Sequence, residues 1–275
     1  MSPYGVSAHT IRGGLKIRCE ADSTGRTFIA ERQHQGAFHL SKPYWDGRVL
    51  LVQWVNPTAG IFAGDELVSE VHVGENASLL LTTPSATRIH TRSSPDLPPG
   101  RQQQDFYVAR QGWLEVLPEW LIPQRGSAFE QVTTIEVSAD AGLFYAELLA
   151  PGRVAHGESL AFELLDNRLR LSIDGRLVCQ QRTWLRPPDR LWPCTLPEWE
   201  HLYSADIWVV AQEAPAPSLP TPFVGCLLGT TTFAPNVFAH RLIGPSSWSI
   251  RSALREIRCA YSQICPKLQS DARKF

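Results

Sequence analysis

The sequence is poor in the motifs that carry most enzyme chemistry. Its six cysteines, Cys19, Cys179, Cys194, Cys226, Cys259 and Cys265, are scattered and form no C-x-x-C pair. A zinc knuckle and a disulfide framework are therefore without support, and free, mostly buried thiols are expected. The eight histidines make neither H-x-H nor H-E-x-x-H, so no local metal cage is expected and no metal ligand is assigned. A G-x-S-x-G elbow is missing. Gly60-Ile61-Phe62-Ala63-Gly64-Asp65 is glycine-rich but lacks the Gly-Lys-Ser/Thr end of a phosphate loop. No nucleotide hydrolysis is expected from it.

Other absences narrow the class. No apolar run nears the roughly 18 residues that cross a bilayer, so no membrane partner is expected. Met1-Ser2-Pro3-Tyr4-Gly5-Val6 has neither the charged nor the apolar region of a secretory signal, and a cytoplasmic address is the expectation. Basic and acidic residues number 26 and 27, a net charge of −1. That balance speaks against a nucleic-acid binder. With 43% hydrophobic and 19% charged residues in a chain of 275, a large core is expected, read as one domain over 1–275.

What the chain does contain is many short β-prone runs between turn residues. They fall at 26–32, 49–55, 67–73, 78–83, 103–109, 113–117, 120–123, 129–137, 143–149, 159–165, 168–173 and 177–185. In 67–73, Leu67, Ser69, Val71 and Val73 share one face and Val68, Glu70 and His72 the other. Gly74-Glu75-Asn76-Ala77 predicts a hairpin turn into 78–83. Asp166-Asn167 and Asp174-Gly175 predict two turns of a three-stranded meander over 159–185. The fold class is mainly β, without the strand–helix alternation of a Rossmann or TIM fold. Sequence repeats are missing, which disfavours a propeller. Pro-rich stretches at 94–100, 186–197 and 214–222 read as surface loops.

One helix is predicted, over 247–265, capped by Ser246 or Ser247. Ile250, Ala253, Leu254, Ile257, Ala260, Tyr261 and Ile264 recur at helical spacing. Arg251, Arg255 and Arg258 form another face, which with Trp248 is the expected partner-binding surface. The acidic residues in β context, Asp65, Glu66, Glu115, Glu119, Glu147 and Glu158, have no nucleophile or base beside them, so no catalytic residue is assigned. Carboxylate and neutral oxygens of this kind suit weak, reversible contact with a divalent cation.

Five collinear stretches resemble the UreD family of urease accessory proteins. They are Asn56 to Asp65; Leu80-Leu81-Thr82-Thr83-Pro84-Ser85-Ala86-Thr87-Arg88; Leu114-Glu115-Val116-Leu117-Pro118-Glu119; Glu147-Leu148-Leu149-Ala150-Pro151-Gly152-Arg153, running on to Gly157-Glu158; and Asp174-Gly175-Arg176-Leu177. Thr58, Ala59 and Ala63 stand where that family often has Pro or Gly. The resemblance implies stacked or helical sheets with C-terminal helix and a non-enzymatic urease-assembly chaperone. It implies binding to apo-urease with UreF and the GTPase UreG, two copies around a UreF dimer, and nickel in transit rather than a tightly bound cofactor. It further implies an internal polar passage, with Asp65, Thr82, Thr83, Ser85, Glu119, Glu147 and Glu158 as the residues to line it. From the residues alone, nine tryptophans and many strand hydroxyls leave a carbohydrate- or peptide-binding module as the alternative.

Overall fold

A computed structural model describes residues 10–36, 38–187, 199–211, 217–219, 223 and 225–262. The chain opens with the hairpin β1 (Arg12–Ala21) and β2 (Thr27–Gln35), followed by β3 (His39–Leu40), β4 (Tyr44–Asp46) and β5 (Val49–Val55). It then winds in repeated passes. The first is β6 (Glu66–Val73), β7 (Ser78–Thr82) and β8 (Thr87–Ile89), and the second is β9 (Gly100–Val108), β10 (Trp113–Leu117) and β11 (Leu121–Pro123). The third is β12 (Ala128–Val137) and β13 (Gly142–Leu149), and it leads to the hairpin β14 (Leu164–Ile173) and β15 (Arg176–Leu185). β16 (Tyr203–Val210), β17 (Leu227–Ala234), β18 (Val237–Gly244) and the helix α1 (Ser247–Ser262) complete it.

Successive passes stack as parallel strands. One sheet runs β15-β14-β12-β9-β6-β1-β2, and the other runs β17-β18-β16-β13-β10-β7-β5-β3, with the short strands at its margin. The fold is therefore the expected mainly β one, with stacked, helically wound sheets and a terminal helix. The helical winding repeats in structure without repeating in sequence.

Two local expectations are corrected. Residues 74–77 are not a hairpin turn: β6 pairs β1 and β9, whereas β7 pairs β5 and β10 in the opposite sheet. The turn is an arch that carries the chain between sheets. It stacks on the next arch, with the Asn76 N–H donating to Arg110 O and the Trp113 N–H to Ala77 O. Stacked arches satisfy each other's backbone groups, which a lone hairpin would not do. The meander is likewise a single hairpin. Asp166 and Asn167 lie inside β14, paired with Glu130 and Gln131 of β12. Only Asp174-Gly175 turns, with φ of 45° and 75° as a two-residue primed turn requires.

Side chains are buried in two layers. Ile17, Val71, Phe106, Phe129, Ile135 and Leu171 fill the space between the sheets with Leu50, Leu79, Leu114 and Leu143. Ile207, Val209, Phe238 and Leu242 face Ile250, Ile257 and Tyr261 of α1 on the outer side of the second sheet. The cap of α1 is Ser246, whose Oγ accepts the Ser249 N–H at 3.1 Å. The predicted helix residues 263–265 and most of the second and third Pro-rich stretches lie outside the described residues.

The 56–65 loop needs glycine at two places only. Gly60 has φ +145° and Gly64 φ +82°, while Ala59 and Ala63 are not among the positive-φ residues. A Cβ at Gly60 would stand 2.3 Å from Arg88 O, which accepts the Ile61 N–H. Gly60→Ala is expected to lower stability by roughly 1–3 kcal/mol or more, from backbone strain with the clash added. Chemical denaturation of the two proteins measures it.

Candidate functional site

Between the two sheets lies a cavity of about 190 Å³ whose wall mixes polar with apolar side chains. Register explains its wall. Leu67, Gln102, Gln131 and Asn167 occupy the same level of four adjacent parallel strands, and Ser69, Gln104 and Thr133 share another. Parallel pairing stacks like positions, so the amides form ladders. Across the cavity, Glu147 of β13 pairs with Asp206 of β16, and Asp206 with Arg241 of β18.

Glu147 is the most deeply placed carboxylate of this wall. Its Oε1 accepts the Tyr145 hydroxyl at 2.8 Å and Gln131 Nε2 at 2.9 Å, and its Oε2 accepts Asn167 Nδ2. Burial pushes its carboxyl up to about 7, and the Asp206 carboxylate pushes the same way against the three donors. Asn167 Oδ1 is buried and has no hydrogen-bond partner among the described residues. The wall thus offers a carboxylate, a phenol and several amide oxygens, a hard donor set that contacts divalent cations weakly.

The cavity brings together Thr82, Thr83, Ser85, Glu119 and Glu147 of the expected passage residues. Thr82 Oγ1 donates to Leu117 O at 2.6 Å, and Thr83 Oγ1 accepts the Glu119 N–H at 2.8 Å. Two expected residues stand elsewhere. Asp65 is buried below the 56–65 loop, where it accepts the Ile11 and Phe62 N–H groups at 2.9 and 2.8 Å. Glu158 accepts Arg153 Nε at 2.9 Å and the Arg125 N–H at 3.2 Å. Arg153, whose hydrogen bond outweighs burial, holds that carboxyl below its ordinary value. Both carboxylates fix loops and do not line the cavity.

α1 packs on its own sheet. Trp248 is 70% exposed and Arg255 is also exposed. Arg251 and Arg258, expected on the same partner-facing surface, turn back instead. Arg251 Nη1 lies 3.0 Å from Glu119 Oε1, and Arg258 Nη2 lies 3.0 Å from the buried Glu115 Oε2. Burial pushes the Glu115 carboxyl up, and Arg258 pulls against it. His240 completes the clasp, its Nε2 2.7 Å from the Tyr261 hydroxyl; burial brings its imidazole down to about 4, so it is neutral.

Sequence reading missed Gln104, Gln131, Tyr145, Asn167, Asp206 and Arg241. The available signal was polar residues at core-facing positions, such as Gln131 between Phe129 and Thr133. Asp166, mistaken for a turn residue, is buried between Arg168 and Arg182 on the outer face. Burial works to raise it, but the two arginines outweigh this and hold it at about 2. Cys19, Cys179 and Cys226 are buried free thiols, and Cys259 is an exposed one. Of the described tryptophans, Trp54, Trp113, Trp120 and Trp208 are buried, which removes them from any stacking surface. No helix among the described residues is long and apolar enough to cross a membrane. Among the same residues, no group of three or more His, Cys, Asp or Glu could hold a metal ion.

Fold and site together define a wound two-sheet β scaffold with a cavity between its sheets that carries polar oxygens on part of its wall. A model of the family described as UreD urease accessory protein matches residues 12–273. A urease accessory protein UreD of Opitutus terrae is 35% identical over 274 residues, covering 96% of this chain and 98% of its own length. Relatives of the same description from Marinobacter nauticus and Mycolicibacterium gilvum are 31% and 36% identical, over 75% and 66% of this chain and 70% and 67% of their own. The chain belongs to the UreD urease accessory protein family.

Proposed function

We propose that this chain serves urease maturation in the cytoplasm as a non-enzymatic scaffold. It binds apo-urease together with UreF and UreG, two copies around a UreF dimer, and assists GTP-dependent nickel insertion. Nickel is its cargo and passes through the cavity between the sheets. Family membership supports the role in urease maturation. The observation that carries the route is the placement of Glu147: a half-buried carboxylate whose hydrogen-bond donors among the described residues are all neutral, beside the unpartnered Asn167 Oδ1. Such a wall replaces part of an ion's hydration shell without closing a cage around it, so the ion is free to leave. When ionised, Glu147 supplies charge, and the Gln102–Gln131–Asn167 ladder supplies neutral oxygens along the winding axis. The test is a urease operon carried with and without this gene. Nickel-dependent urease activity is expected only with it, and normal activity without it would refute the proposal.

A further inference from the structure

Among the described residues, three carboxylates line the cavity: Glu119, Glu147 and Asp206. Two of them are matched by arginine. Arg241 holds Asp206 through Nε–Oδ1 at 2.6 Å and Nη2–Oδ2 at 2.8 Å. Arg251 holds Glu119 through Nη1 and Nη2, an end-on fork where that of Arg241 is side-on. Each fork cancels a charge that a divalent cation would otherwise meet.

The Glu119 pair differs in where its arginine comes from. Asp206 and Arg241 sit on adjacent strands of one sheet. Arg251 comes from α1, far along the chain, with its guanidinium 5.6 Å from the centre of the Trp120 ring. The buried Ile250, Ala253, Leu254 and Ile257 hold this helix on the sheet, and the Arg258–Glu115 pair pins the same face about two turns further on. On the other side, Thr83 fixes the Glu119 backbone against the cavity wall. The pair is therefore a preset contact between the helix and the cavity, and only 31% of the Glu119 side chain is exposed.

We infer that Arg251 sets how strongly the cavity holds a cation: by occupying Glu119 it keeps that stretch of wall neutral, so that nickel passes without being retained. The inference rests on the reading of the cavity as a cation route. It makes Arg251 a positioning residue, acting through Glu119, and it links the seating of α1 to the grip of the wall. Removing the guanidinium leaves the Glu119 carboxylate on the cavity wall without its counter-charge, an additional cation ligand. Removing the carboxylate leaves an unmatched positive charge, which repels the ion.

The experiment is Ni2+ binding to the full chain by equilibrium dialysis, for wild type, R251Q, E119Q and the double variant, with thermal melts alongside. R251Q is expected to bind Ni2+ more tightly by roughly tenfold, the ratio that ~1.4 kcal/mol sets. E119Q is expected to bind more weakly, and E119Q/R251Q to return to the wild-type value. Equal Ni2+ binding by all four proteins, with altered melting only, would make the pair structural and overturn the inference. Glu147→Gln in the same series separates the two levels. If it weakens binding while R251Q changes nothing, the inference falls and the route stands. If binding is indifferent to Glu147 as well, both fall.

Discussion

Glu147→Gln is expected to lower nickel-dependent urease activation by on the order of 10- to 100-fold, the range that loss of a metal-site group commonly produces, with the chain still folded. The substitution preserves volume and removes the charge. It also turns an acceptor into a donor: the amide would bring N–H toward Tyr145, Gln131 or Asn167, which all donate to Glu147. Part of the oxygen ladder must reorient, so the ion loses a carboxylate and some of its neutral partners together. Urease activity of operon-bearing cells, with nickel content of the purified urease, measures the effect.

A second readout isolates Glu147 from its neighbours. Its carboxyl stands near 7 in the folded chain against an ordinary 4.5, because burial disfavours the anion. The folded state then holds more protons than the unfolded state between these values. Stability contributed by the protonated form is full below about pH 4.5 and is lost as pH rises through 7. The loss is on the order of 3 kcal/mol by linkage. Glu147→Gln is expected to abolish that part of the slope, which urea titrations at pH 5 and pH 8 compare.

Arg258→Ala is expected to destabilise the chain by roughly 3–5 kcal/mol, because it leaves a buried carboxylate without its counter-charge. Glu115 is 1% exposed and belongs to β10, in the middle of the second sheet. Its partner comes from the last described turns of α1, so the loss falls on the contact between helix and sheet. Melting is expected to drop by on the order of 10 °C in a chain of this size. The double change Glu115→Leu/Arg258→Met is expected to recover much of this, since apolar replacement of both partners removes the unpaired charge. A double variant no better than Arg258→Ala would show that Arg258 stabilises through contacts other than Glu115.

The strands most legible in the sequence were those with one buried face. Alternation in 67–73 follows β6, whose Leu67, Ser69, Val71 and Val73 are buried. β16 was not legible, because Ala205 and Ile207 to Val210 are buried on both faces and show no alternation. Nor were β1, which carries Gly13-Gly14 just after its first residue, or β17 and β18. Turn chemistry identified Asp174-Gly175 correctly, but the same chemistry misled at Asp166-Asn167. There, partners from other strands, Arg182 and Glu147, satisfy the polar side chains and override the local preference. The hairpin at 74–77 failed for a related reason: sequence shows that the chain turns, not which sheet receives it.

The site was half legible. Thr82, Thr83, Ser85, Glu119 and Glu147 meet at one cavity because the motifs that contain them lie on neighbouring passes of the winding. Asp65 and Glu158 stand in motifs of equal weight but hold loops. A motif marks a position without saying whether its carboxylate faces a cavity or a backbone N–H. The glutamine ladder was invisible because it exists only through parallel register.

The most direct test is diffraction at the nickel absorption edge from the chain bound with apo-urease and its accessory partners, loaded with Ni2+. The route through this protein predicts anomalous density inside the cavity, beside Glu147 and the Gln131–Asn167 ladder. Nickel confined to the outer surface or to the partner proteins, with urease still activated, would contradict it.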